Sequence, residues 1–214
     1  MKDDPTNRLR DMSTRKFLPQ VLTPRTVMAP VRISDAEDLW RVIDTSRGHL
    51  RQWLEWPDLI TSFSQARWMG GHCEDDWHRC SDFRFAIRNR VDGSLLGLIG
   101  FESCDFHNRI CNMGYWLSQN VQGCGLLSEA AYVALNHIAD NALRLQRINL
   151  YISIKNRRSL AVAHRLGFHH ELGVDEPPAN SVYFDHLLFS KNLLQFAYPN
   201  LDMKKSTSSN SKEL

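Results

Sequence analysis

Apolar and polar positions recur along this chain with two periods, and the switches between them mark out its elements. Alternation over residues 27–32 predicts a strand, and Ser34-Asp35-Ala36-Glu37 has the Ser-to-Glu spacing of a capping box. Ala36, Leu39, Trp40 and Ile43 then fall at i, i+3, i+4 and i+7, which puts them on one face of a helix. A short second helix is expected over 49–54 and a longer one over 64–78. Trp56-Pro57-Asp58 separates them, because proline disfavours helix at the residue before it. Phe83, Phe85 and Ile87 alternate with mostly polar neighbours, Asp92-Gly93 supplies a hairpin turn, and 95–101 is a buried apolar run. After a turn at Asn108-Arg109, residues 110–117 complete an antiparallel meander. Gln122-Gly123-Cys124-Gly125 interrupts the pattern. Leu127, Ala130, Ala131, Ala134, Leu135 and Ile138 then form one apolar stripe of a helix.

Ile148, Leu150, Ile152 and Ile154 restore the period of two, and 158–166 reads as a short helix ended by Gly167. The order strand, helix, strand requires a parallel crossover at this point. Residues 169–174 and 183–193 read as two closing strands around a Pro177-Pro178 loop. The expected fold is α/β, with a mixed sheet that is antiparallel early and parallel in the middle.

Composition narrows the function classes. The 214 residues carry 26 Lys plus Arg against 24 Asp plus Glu, a net charge of +2, with 43 % hydrophobic side chains. Mixed charge of this kind offers no basic stripe for a nucleic-acid backbone, so no nucleic-acid partner is expected. The longest apolar run, 95–101, has seven residues, far short of the roughly 20 that span a bilayer. Residues 1–20 mix both charge signs without an apolar centre and do not read as a secretory signal. A cytoplasmic protein with no membrane partner is the expectation. The organisation expected is a flexible extension at 1–20, one domain at 21–195, and a polar tail at 196–214.

Five cysteines, an odd number in a chain large enough to build its own core, point to reduced thiols. His72-Cys73 with His78-x-Cys80 lacks an accompanying Cys-x-x-Cys pair, and no metal is expected there.

The first chemistry-bearing feature is the glycine loop. Gly123 and Gly125, between a strand and a helix, let backbone approach a ligand closely and aim unpaired N–H groups outward. A helix start of this kind suits a phosphate or diphosphate, although Gly-x-Gly alone is equally a tight turn. It is neither a Walker loop, which needs Gly-Lys-Ser/Thr, nor a dinucleotide fingerprint, which needs a third glycine.

The loop does not stand alone. Asn108-Arg109, Gly114-Tyr115-Trp116-Leu117, Gln122-Gly123-Cys124-Gly125, Asn156-Arg157-Arg158-Ser159 and Arg165-Leu166-Gly167-Phe168, in this order, resemble the GNAT superfamily of acyl-CoA-dependent N-acetyltransferases. The string His49-Leu50-Arg51-Gln52-Trp53-Leu54-Glu55-Trp56-Pro57 is similar to one in its RimJ/RimL branch. The resemblance spans about residues 22–193. It implies a mixed sheet whose parallel central strands splay to hold acetyl-CoA as co-substrate, with no metal.

In that superfamily a Gln/Arg-x-x-Gly-x-Gly/Ala loop holds the cofactor diphosphate. The resemblance therefore assigns Gln122, Gly123, Cys124, Gly125 and Leu126 to cofactor binding, with Leu127 departing from the small residue usual at the last position. Asn156 corresponds to the residue that hydrogen-bonds the pantetheine arm. Ser159 corresponds to a proton donor near the thioester sulfur, although Asn-x-x-Ser is also an ordinary helix-capping pair. Backbone near Met113 and Tyr115 corresponds to the oxyanion contact. Lys155, Arg157 and Arg158 either meet cofactor phosphates or form a solvated face.

The reaction implied is direct attack of a neutral primary amine on the thioester. Many members of the branch carry Glu where this chain has Asn112, and Asn cannot accept a proton as a base. Glu102 and Glu176 are the candidate bases acting through water. Deprotonating a lysine at about pH 7.5 costs roughly 4 kcal/mol, whereas an α-amine costs under about 1 kcal/mol. Weak base chemistry thus favours a protein N-terminal α-amine as acceptor, and the resemblance implies one of ribosomal-protein type. The alternatives are a polyamine or amino-sugar acceptor, or an acyl-CoA-binding protein impaired in turnover. Trp53, Glu55, Trp56 and Asn112 are candidate acceptor-site residues, with Asp58 and Glu74-Asp75-Asp76 as acids that could attract a cationic amine. A homodimer is an open alternative to a monomer.

Overall fold

The computed structural model of the protein describes residues 20–171 and 186–193. Eight strands form one sheet: β1 (Val21–Leu22), β2 (Thr26–Pro30), β3 (Phe83–Asn89), β4 (Leu95–Asp105), β5 (Ile110–Leu117), β6 (Arg147–Ser153), β7 (His169–His170) and β8 (His186–Asn192). Their spatial order is β1-β2-β3-β4-β5-β6-β8-β7. Each neighbouring pair is antiparallel except β5 and β6.

Side-chain alternation assigns the two faces. Phe83, Phe85 and Ile87 from β3 and Cys111 and Met113 from β5 join a core with helices α3 (Leu126–Val133) and α4 (Arg157–Arg165). Ala86, Leu98 and Trp116, one residue out of phase, face a second core with α1 (Ala36–Leu50) and α2 (Phe63–Arg79). The sheet is therefore covered on both sides, as a crossover helix requires. Among the described residues, no helix is long and apolar enough to cross a membrane.

Several expectations are corrected in detail. The helix expected over 49–54 is not separate: α1 runs on to Leu50, and a 3-10 turn at Trp56–Leu59 takes the Trp-Pro pair at its start. That is where a proline without an N–H fits best. The Ser34-to-Glu37 box is replaced by a 3-10 turn, Ile33–Asp35, in which the Asp35 carboxylate accepts from the Arg32 N–H at 2.8 Å. Asp35 also meets Arg88 on β3 at 2.6 Å, so a tertiary ion pair competes for this end of the helix.

The long helix after the glycine loop is α-helical only to Val133 and widens into a π-helix over Ala134–Ala142. The Leu143 N–H donates to the Ile138 carbonyl five residues back. This wider turn keeps Ile138, Ala139 and Leu143 all buried against the sheet.

The expectation of wholly reduced thiols also fails. Cys104 and Cys111 are joined sulfur to sulfur across the β4–β5 hairpin, where an irregularity in register brings their Cα atoms to 4.3 Å, while Cys73, Cys80 and Cys124 take part in no disulfide. The count alone could not show that two of the five sit on facing strands. Glu176, the Pro177-Pro178 loop, most of the two closing-strand segments' inner ends, and both terminal extensions lie outside the described residues.

Two glycines give opposite expected outcomes on substitution. A Cβ at Gly97 would be driven into the Trp116 carbonyl oxygen and to 2.8 Å from Leu117 Cα, both backbone atoms that cannot yield. Gly97→Ala should cost about 1–3 kcal/mol, read from the urea midpoint. At Gly48 in α1 a Cβ meets nothing within 4 Å. There Gly48→Ala should stabilise by about 0.5–1 kcal/mol in the same measurement.

Candidate active site

The parallel pairing of β5 with β6 lasts for only three residues, Ile110 with Arg147, Cys111 with Ile148 and Asn112 with Asn149. Beyond them β5 stays paired with β4 as far as Leu117, and β6 stays paired with β8 as far as Ser153. From Met113 onward the edge of β5 that faces β6 has no ladder, and the sheet opens there.

The glycine loop stands at the end of this opening. Gly123 and Gly125 adopt φ of 80° and 77°, the left-handed region that glycine enters without strain. Gly125 is the N-cap of α3, and its carbonyl receives the first intrahelical bond, from the Glu129 N–H at 3.1 Å. The N–H groups of Leu126, Leu127 and Ser128 in that first turn have no intrahelical acceptor. Gly123, Cys124 and Gly125 are all exposed, so side chains do not plug the helix start. This arrangement can hold an anion against backbone amides and the positive end of the helix dipole.

The Gln122 side chain turns away from those amides and becomes a hub. Its Oε1 accepts from Arg158 Nη1 at 2.6 Å, its Nε2 donates to the Leu117 carbonyl at 3.1 Å, and Nε2 also meets His49 Nε2 at 2.6 Å. Because Arg158 can only donate, the amide orientation is fixed, and His49 must present its unprotonated nitrogen. Burial, reinforced by the Arg158 charge, holds the His49 imidazolium below its ordinary pKa, in keeping with that role.

On the far side of the opening Asn156 caps α4, its Oδ1 accepting from the Ser159 N–H at 3.1 Å. The Ser159 hydroxyl lies 3.1 Å from the Tyr115 hydroxyl, and either can donate. Arg165 Nε reaches the Ser128 hydroxyl at 3.2 Å. Three side-chain contacts thus span the crevice between the loop and α4. The structure brings Tyr115, Gln122, Asn156 and Ser159 together here, while the Met113 side chain is buried in the core and leaves only its backbone at the opening.

The acceptor candidates lie on the opposite face. Asn112 is the register partner of Glu102, and Trp116 packs against Trp56 with ring centroids 5.8 Å apart. Glu102 Oε1 accepts from Arg84 Nε at 3.0 Å, and the same guanidinium binds Asp76 at 2.8 Å and Asp82 at 3.1 Å. Glu55 is exposed, and Asp58 pairs with Arg51 at 3.0 Å. His72 stacks on Trp68 at 5.1 Å and faces Asp76 at 3.6 Å, while burial pushes the Cys73 thiol up to about 11.

Arg25 was not singled out by its sequence context. Its Nε pairs with Glu129 Oε2 at 2.8 Å and its Nη1 donates to the Cys124 carbonyl at 2.9 Å, which clamps the loop from the distant β1–β2 turn. Thr23 and the Arg25 N–H bond the other Glu129 oxygen. No local spacing could reveal a contact between residues 104 positions apart.

Comparison with known proteins agrees with this geometry. Residues 25–169 match the family described as acetyltransferase (GNAT) domain. The chain is 26 % identical over 139 residues to the ribosomal-protein-serine acetyltransferase of Escherichia coli (strain K12), covering 61 % of this chain and 71 % of that one. Among solved structures it resembles RimL, a ribosomal L7/L12 alpha-N-protein acetyltransferase in complex with coenzyme A. That likeness has a TM-score of 0.74 and 21 % identity, over 85 % of this chain and all of that one. Mycobacterium smegmatis RimJ in complex with CoA-disulfide gives a TM-score of 0.72 at 21 % identity, over 84 % and 88 % of the two chains.

Burial pushes the Tyr115 hydroxyl up to about 12, with the bond to Ser159 pulling weakly the other way. Its unfolded value is about 10, so the neutral phenol stabilises the fold fully below that pH, and the contribution is lost as pH rises toward the folded value. Urea midpoints measured at rising alkaline pH should fall for the wild type, and Tyr115→Phe should remove that part of the loss.

Proposed function

Because the chain belongs to the acetyltransferase (GNAT) domain family and is an acyltransferase, we propose that it moves the acetyl group of acetyl-CoA to a primary amine, the N-terminal α-amine of a protein. The observation that carries this reading is the parting of β5 from β6 beside an unplugged helix start. A diphosphate fits the amides at Gly123–Leu126, where a glycine Cβ at position 123 would meet nothing within 4 Å. The pantetheine arm fits the opening between the strands, with the Asn156 amide at its side. The named relatives that act on ribosomal proteins support a protein N-terminus, and the RimL and RimJ complexes support coenzyme A as the carrier.

In this reading the amine nitrogen attacks the acetyl carbon, a carbon–nitrogen bond forms and the carbon–sulfur bond breaks. Backbone N–H from the Met113 to Tyr115 stretch, unladdered toward β6, faces the carbonyl oxygen as its charge grows. Ser159, hydrogen-bonded to Tyr115, gives its proton to the departing thiolate and regains one from water. The amine proton leaves through water toward Glu102, the carboxylate nearest Asn112 in register. Glu176 is the other candidate base. Asn112 cannot take that role, and an α-amine, already about half neutral near pH 8, has little need of a strong base. Trp53, Glu55 and Trp56 wall the acceptor side. We assign the activity to one domain over 21–195 of a cytoplasmic protein.

Mass spectrometry of protein N-termini and of small amines incubated with acetyl-CoA tests the acceptor: mass gain of 42 Da, one acetyl group by composition, is expected at the protein α-amine. Labelling of free small amines alone would overturn it. Ser159→Ala should lower kcat on the order of 10²-fold while calorimetry shows an unchanged affinity for CoA.

A further inference from the structure

The C-terminal end of α1 holds the segment that leads from β5 into the glycine loop. Ser46 and His49, one helical turn apart, both face residues 118–122. The buried Ser46 hydroxyl accepts from the Gln119 N–H at 3.2 Å and donates to the Ser118 hydroxyl at 3.3 Å. His49 Nε2 meets the Gln122 amide nitrogen at 2.6 Å, one residue before Gly123. His49 also opens the string His49–Pro57, whose Trp56 packs on Trp116 of β5. One stretch of chain therefore touches both the tryptophan wall and the entry to the loop.

Gln122 has two amide protons and one oxygen, and all three are used. One proton goes to the Leu117 carbonyl and the other to His49, while the oxygen accepts from Arg158. An imidazolium carries protons on both ring nitrogens and cannot accept. Turning the amide over gives no relief. Its oxygen would then face the Leu117 carbonyl, and its NH2 would face Arg158, which only donates. Neither orientation of Gln122 satisfies a charged His49. Arg158, on α4, is also the charge that acts on the His49 ring. Residues 118–121 bring no titratable side chain to it. The nearby charges on α1 and the turn after it are engaged elsewhere, Arg47 with Asp44 and the Pro57 and Ile60 carbonyls, Arg51 with Asp58.

We propose that His49 is a positioning residue for the cofactor: its neutral imidazole fixes Gln122, Gln122 fixes Arg158, and proton uptake by His49 releases the glycine loop from both α1 and α4. This rests on the acetyl-transfer reading and deepens it by naming how acid regulates that site. His49 does not touch CoA; it acts through Gln122. A loop that its ligand must order binds that ligand more weakly than a loop already held. Affinity for CoA therefore falls as pH drops through the His49 titration. That titration lies below the ordinary imidazole value of 6.5, because burial, and after it the Arg158 charge, disfavour the charged ring. By linkage, binding of CoA in that range expels a proton from His49.

The test measures CoA binding by calorimetry from about pH 8 to about pH 5, on the full chain and its His49→Gln and His49→Ala variants, with thermal unfolding at each pH. Glutamine keeps an acceptor for Gln122 but takes up no proton, and alanine removes the acceptor. A phosphate monoester itself titrates near pH 6, so the quantity read is the ratio of wild-type to variant affinity at each pH, in which the ligand's own titration cancels. Relative to His49→Gln, wild-type affinity should be about equal at the alkaline end and about three- to tenfold weaker at the acid end. His49→Ala should be weaker than His49→Gln by a similar factor at every pH, and in a Gln122→Ala background it should add nothing. If His49→Ala lowers the melting temperature, the His49→Gln comparison alone decides. A wild-type to His49→Gln ratio that stays flat overturns the proposal while CoA binding stands. So does a ratio that rises in acid, as direct attraction of an imidazolium to phosphate would make it. Failure of the unaltered protein to bind CoA at the alkaline end overturns the acetyl-transfer reading instead.

Discussion

The separation of β5 from β6 after three paired residues is the constraint on which the rest of the molecule is arranged. Each strand remains saturated on its other side, β5 by β4 and β6 by β8, so the sheet is two well-made halves hinged at a short parallel seam. A backbone edge left without partners inside a protein is costly unless something satisfies it. Side chains bridge the opening instead of a ladder, Tyr115 to Ser159, Gln122 to Arg158 and Ser128 to Arg165, and none of these bonds reaches the β5 backbone edge itself. None of these is a large apolar contact. The crevice is bridged by polar groups, whose bonds a polar ligand can replace without loss of packed core.

The two faces of the opening divide the chemistry. The α3–α4 face offers amides, hydroxyls and arginines, suited to phosphates and a leaving thiolate. The α1–α2 face offers tryptophans and carboxylates, suited to a cationic amine. In the proposed reading, two partners held on opposite sides of one gap could exchange a group directly, with no covalent intermediate on the protein.

Much of this was legible in sequence because it depends on near neighbours. Hydrophobic period gave the strands and helices, and two glycines between a strand and an apolar stripe marked the helix start. The capping of α4 by Asn156 was legible for the same reason, as a donor and acceptor three residues apart. What was not legible depends on distance along the chain. Glu129 meets Thr23 and Arg25, Gln122 meets His49, and Asp35 prefers Arg88 to a local cap, each through contacts that no spacing rule encodes. The Cys104–Cys111 link belongs to the same class, since it required knowing which hairpin positions face each other. The widening of the long helix into a π-turn was missed because Ala134 to Ala142 carries no residue that breaks an α-helix.

The clamp of Arg25 and Thr23 on Glu129 ties the order of assembly to the glycine loop. The contact closes a separation of more than a hundred residues, and the β1–β2 turn that supplies it sits at the outer edge of the sheet. Loop-closure entropy makes such a contact one of the last to be rewarded during folding. The glycine loop consequently gains this support late, once the edge of the sheet that carries Arg25 is in place.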